Sequence, residues 1–104
     1  MEYTLINELV DSSVRLGKFE ILFTIIKESP EYCKKIMAEC VILETSVSLK
    51  NSSLVYIATS DWFDKILITD EIPYYNIFGT NLKVNEFEYR TIIRFEKGLR
   101  DWTK

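Results

Sequence analysis

The sequence predicts an α+β domain, with N-terminal helices packed on a small antiparallel sheet of about four strands in two layers. Three observations carry this. Apolar residues recur at helical spacing through the first forty positions, and the period shortens to two after Cys40. Turn-forming residues then divide the remainder into short segments. A chain of 104 residues, 47% apolar, gives one domain by length and composition, so residues 1–104 are read as a single unit.

Leu5, Ile6, Leu9, Val10, Val14 and Leu16 form the first helical stripe, with Gly17 as its stop. Over 18–28, Phe19, Ile21, Leu22, Phe23, Ile25 and Ile26 cover one broad arc, opposite Glu20, Thr24, Lys27 and Glu28. This segment reads as helix, although it also alternates like a buried strand. Ser29-Pro30-Glu31 is the strongest local signal. Ser caps, Pro loses no hydrogen bond at the first helical position, and Glu suits the helix dipole. The helix that follows buries Tyr32, Cys33, Ile36, Met37 and Cys40, with Glu31 and Lys35 paired on its outer face.

A hairpin of 41–49 and 53–59 comes next. Val41, Leu43, Val47 and Leu49 alternate with polar residues, and Leu54, Tyr56 and Ala58 continue the pattern past Asn51-Ser52. A two-residue loop would set Leu49 against Leu54 and Val47 against Tyr56, so the apolar faces coincide. Ser60–Lys65 reads as one helical turn capped by Ser60. Segments 66–68 and 74–78 read as strands, and Gly79-Thr80-Asn81 as a turn. Phe87, Tyr89, Thr91, Ile93 and Phe95 alternate with charged residues and favour a strand over 86–97. Asn85 with Glu88 keeps a capped helix open there. In either form Arg90 and Arg94 share a face.

Composition excludes several chemistries. With no histidine, neither a Ser-His-Asp triad, a Cys-His pair nor an imidazole zinc site is available. Three glycines supply no glycine-rich loop, so neither a P-loop nor a dinucleotide fingerprint exists. Asp61 with Asp64, and Asp70 with Glu71, are explained by a helix start and a polar turn rather than by a metal. Cys33 and Cys40, seven apart on one helix, are about 10 Å apart along its axis, beyond disulfide reach. They read as buried free thiols of a cytoplasmic protein. No signal peptide or membrane span is expected, because Glu8 and Asp11 interrupt the first apolar stretch. No enzyme, cofactor or metal is therefore predicted.

Charge is uneven. Residues 1–82 carry seven basic and twelve acidic groups (−5), and residues 83–104 carry six and four (+2), summing to the net −3. Arg90 and Arg94, with Lys97 and Arg100 nearby, are the one basic concentration. The aromatic pairs Trp62-Phe63 and Tyr74-Tyr75 offer rigid contact area at low entropic cost. Trp62, Tyr74 and Tyr75 are thus the candidate apolar anchors, and Arg90 and Arg94 the charged orienters, of a protein-binding surface. The competing readings are core packing for the rings and a solvated, salt-bridged face for the arginines.

A compact acidic domain without a catalytic motif resembles, in size and style only, the small inhibitors that phages direct at host defence or host machinery, anti-CRISPR proteins among them. The resemblance rests on no motif and carries no residue across. It implies a non-catalytic inhibitor or regulator acting by surface contact in the host cytoplasm. The alternative is a nucleic-acid-contacting accessory protein using the C-terminal basic face, against which an isoelectric point near 5.0 argues. An exposed apolar strand, such as one showing Val55 and Ile57, would also support a homodimer.

Overall fold

A computed structural model describes residues 13–67 and 69–98. The fold is mixed α/β: a four-stranded antiparallel sheet in the order β2-β3-β1-β4, two helices, and a separate two-stranded sheet, β5-β6. The strands are β1 (Ser13–Leu22), β2 (Val41–Ser48), β3 (Ser53–Thr59), β4 (Lys65–Leu67), β5 (Tyr75–Asn85) and β6 (Glu88–Lys97). The helices, α1 (Phe23–Glu28) and α2 (Pro30–Ala38), lie between β1 and β2 in the chain.

The first correction to the sequence reading is β1. The part of the helical stripe at Leu5–Val10 lies outside the described residues, but Val14 to Leu22 is strand rather than helix. Its alternation is the deciding signal. Gly17, Phe19 and Ile21 share the buried face and pair with Ala58, Tyr56 and Leu54 of β3. Long-range pairing outweighs the local helical pattern here. The first described element is therefore a strand, and the described helices follow it. Gly17 is not a helix stop. A Cβ there would lie 2.7 Å from the Phe63 ring and 2.8 Å from Tyr75, so glycine is what lets β1 approach both rings.

Helix α2 forms as its Pro30 and Glu31 dictate, but the Ser29 side chain makes no capping bond. The Ser29 carbonyl instead accepts the Tyr32 and Cys33 amides at 3.1 and 3.2 Å. Glu31 pairs with Lys34 rather than with Lys35.

The β2–β3 hairpin stands where the sequence placed it, in a different register. Val47 faces Leu54 and Ser48 faces Ser53, around a four-residue loop, 49–52, in which Ser52 adopts a positive φ of 53°. The shift is an even number of residues, so the faces are unchanged. A bulge between Ile42 and Glu44 adds a second irregularity. Val41, Leu43, Val47 and Leu49 are nonetheless 58% to 83% exposed, because β2 is an edge strand.

Ser60–Lys65 is a turn, not a helical turn. The Trp62 amide donates to Ser60 Oγ at 3.2 Å, the Phe63 amide donates to the Ser60 carbonyl, and Lys65 already belongs to β4. The turn read at Gly79-Thr80-Asn81 is mid-strand, with these residues opposite Ile93, Ile92 and Thr91. The reversal lies at Glu86-Phe87. There the Phe87 amide donates to Asn85 Oδ1 at 2.9 Å, so Asn85 organises a hairpin turn instead of capping a helix.

One aromatic core joins the two sheets. Phe19 lies 5.3 Å from both Tyr56 and Phe95, and Phe63 lies 4.6 Å from Tyr75 and 5.1 Å, edge-on, from Phe95. Ile36 of α2 and Ile93 of β6 close it. Among the described residues no helix is long and apolar enough to cross a membrane.

Candidate functional site

The β5–β6 ribbon leaves this core. Every residue from 78 to 90 is exposed, and ten or eleven residues per strand make the ribbon about 33 Å long. Strand alternation gives it two faces. One carries Tyr75, Ile93 and Phe95 into the core at its base. The other aligns Phe78 with Arg94, Thr80 with Ile92, and Leu82 with Arg90. Phe78, Leu82 and Ile92 are 40%, 48% and 42% exposed, so this face is an apolar strip edged by two guanidinium groups. The Arg94 guanidinium stands 5.4 Å from the Phe78 ring centre and 3.0 Å from Glu96. At the tip, Phe87 is 93% exposed.

The structure sets Arg90 and Arg94 on one face of β6, about 13 Å apart along the strand, with Trp62 and Tyr75 away from that face. Trp62 is 41% exposed, with its ring 6.5 Å from Phe95 and its indole N–H donating to Glu39 Oε2 at 3.5 Å. Successive strand residues point to opposite faces, so Trp62, packed on Phe95, lies across the ribbon from Arg94. Tyr75 is a correction. At 3% exposure it is a core ring, and its hydroxyl oxygen accepts the Asp64 amide at 2.7 Å, leaving it no surface to offer a partner. Tyr74 is half-buried where the two sheets meet, and its carbonyl accepts the Gly98 amide at 2.8 Å. Phe78, Leu82 and Ile92 were not singled out from the sequence. Alternation continued from Tyr74 through Leu82 was the available signal, and Gly79 obscured it.

A cleft of about 470 Å³ opens between α2, β1 and the base of β5. Ile21, Ile36 and Ile77 line it with Tyr32, and Glu20 and Asn51 stand at its polar side. Glu20 Oε2 accepts the Ser53 hydroxyl at 2.7 Å and the Asn51 amide at 3.4 Å. The two thiols are free cysteines that donate to the Ile25 and Ile36 carbonyls. Burial pushes both upward, Cys40 to about 11 with the Glu39 carboxylate adding to the effect. At neutral pH they are protonated thiols, poor nucleophiles and poor metal ligands. Among the described residues no three His, Cys, Asp or Glu side chains are grouped to hold a metal ion.

No family model, curated protein or solved structure matches this chain. The functional reading therefore rests on the ribbon and its surroundings alone.

Proposed function

We propose that this chain is a small non-catalytic protein-binding module, an inhibitor or regulator that works by surface contact through the Phe78–Leu82–Ile92 face of the β5–β6 ribbon. The observation that carries the reading is the exposure of this strip on a two-stranded element. An isolated two-stranded hairpin is marginally stable in water, and its outer half here has no covering layer among the described residues. Covering the strip with a partner stabilises both. Arg90 and Arg94 orient that partner by its carboxylates, and Phe78, Leu82 and Ile92 supply the desolvated centre that dominates such interfaces. The reduced thiols suit the cytoplasm as the place of action.

Ribbon charge favours a protein over nucleic acid. Lys83, Arg90, Arg94 and Lys97 against Glu86, Glu88 and Glu96 leave only +1 (four minus three) over Tyr75–Lys97. Phosphate-tracking surfaces carry far more.

The test is affinity capture with the wild-type chain, with F78S, with R90E/R94E and with the α2 control K34E, followed by affinity measurement on any protein recovered. The ribbon variants should weaken binding by at least about tenfold, a loss expected of central interface residues. K34E should bind normally, and all variants should keep the wild-type circular dichroism. Equal binding by F78S and R90E/R94E overturns the reading. So does a gel shift on DNA or RNA that collapses with added salt and depends on the same arginines.

A further inference from the structure

We infer that the cleft between β1, α2 and the base of β5 is a binding site for a small organic amine, a compact apolar body carrying one ammonium group. Its origin is topological. Strands β1 and β5 meet at one isolated parallel bridge, Lys18 to Tyr74, and belong to different sheets, so they part beyond it. Residues 20–22 and 76–78 become the two walls of the gap, and the helices contribute Ile25, Tyr32 and Ile36 between them. The volume of about 470 Å³ lies within the roughly 300–1,000 Å³ of pockets that take small ligands. One contact ties helix to ribbon at this cleft. A Cβ on Gly79 would lie 2.6 Å from the Tyr32 ring and 3.0 Å from its hydroxyl oxygen, so glycine lets the ring reach from α2 to β5.

Charge selects the occupant. Ile21, Ile25, Ile36 and Ile77 give the cleft an apolar lining, against which the body of a ligand sheds its hydration. Glu20 is the one ionised side chain among the described lining residues. Asn51 and Asn76 are neutral, and burial raises the pKa of Tyr32, so its phenol stays protonated at neutral pH. Lys18, on the same strand face two positions earlier, is not among the residues that line the cleft. The Glu20 carboxylate is also held in place by the fold itself. Its Oε2 accepts the hydroxyl of fully buried Ser53 at 2.7 Å and the Asn51 side-chain amide at 3.4 Å. A fixed anion beside apolar surface favours a cation with an apolar body over a neutral or anionic molecule of the same shape. Phe78 alone belongs both to this cleft and to the proposed partner-binding face, so changes at Glu20 separate the two sites.

Calorimetric titration in low-salt buffer tests the assignment with phenethylamine, phenethyl alcohol and phenylacetate, probes of similar size that differ in charge. Phenethylamine should bind one molecule per chain, at least about tenfold tighter than the alcohol, with phenylacetate weaker still. E20Q keeps an acceptor for Ser53 and removes the charge. It should erase the advantage of the amine, leave the affinity for the alcohol unchanged and preserve the wild-type circular dichroism. I25A, which trims the apolar lining, should weaken amine and alcohol alike. In NMR titration the amide shifts caused by the amine should concentrate at residues 20–22 and 76–78. No saturable binding of the amine up to its solubility limit overturns the inference. So do equal affinities for amine and alcohol, an amine affinity that E20Q leaves unchanged, or shifts confined to other parts of the chain.

Discussion

Cys40 shows how placement sets chemistry one residue at a time. Its thiol sits at the end of α2, half-buried, hydrogen-bonded to the Ile36 carbonyl and next to the Glu39 carboxylate. Burial and that charge both oppose the thiolate, raising its pKa from 9.0 to about 11. Because the folded value is the higher, the stability tied to the protonated thiol is fully present below pH 9.0. It is lost as pH rises through about 11. Burial raises Tyr32 and Tyr56 in the same direction, so they extend the loss at alkaline pH. Urea midpoints should hold steady below pH 9.0 and then decline. Alkylation of Cys40 by iodoacetamide should be slow at neutral pH and accelerate steeply above it. Rapid labelling at neutral pH would show a thiolate that this environment does not support. Residue-level inference from sequence was uneven in the same way. Free thiols were readable from spacing alone, whereas the burial of Tyr75 depended on a neighbour, Gly17, fifty-eight positions away.

At the scale of elements, local signals succeeded where the partner lay nearby in the chain. Helix α2 and the β2–β3 hairpin are short-range units, and Pro30 and the alternation from Val41 to Thr59 were enough to place them. Strand β1 failed because its partner, β3, is more than thirty residues distant and its side chains satisfy both periods over part of its length. The turn expected at Gly79-Thr80-Asn81 failed for a related reason. Turn-prone residues are tolerated mid-strand where the partner supplies bonds, as when Thr91 Oγ1 donates to Asn81 Oδ1 at 2.7 Å. The shared face of Arg90 and Arg94 was legible because it follows from either period. The apolar strip beside them was not, because it needs β5 and β6 in register. The outer ribbon also has no covering layer among the described residues. Native-state hydrogen exchange should show the amides of residues 80–92 opening at much lower free energy than those of β1 and β3. Equal protection in the monomer would mean the outer ribbon is held by something other than its own ladder.

Across the whole molecule, the radius of gyration is 16.2 Å, against about 13 Å for a compact chain of this length. Cohesion depends on a small set of rings. Phe19 touches the aromatic groups of β3, the 60–65 turn and β6 alike, so its removal loosens both sheets. F19A should cost about 3–5 kcal/mol, as for other fully buried aromatics, read as a drop in the urea midpoint. Fluorescence and circular dichroism should report a single transition, because one core serves both sheets. Two separated transitions would show that the sheets fold independently.

Where the two sheets meet, the Lys18 amide donates to the Pro73 carbonyl at 2.9 Å, and Lys18 forms an isolated parallel bridge with Tyr74. Pro73 has no amide to return, so this strand contact cannot lengthen upstream. The chain turns away and becomes the ribbon. Mechanically, this junction is a fulcrum. A load applied near Phe87 acts through a lever about 33 Å long and arrives at the middle of β1, an inner strand of the larger sheet. Whatever grips the tip of this protein therefore pulls on its core.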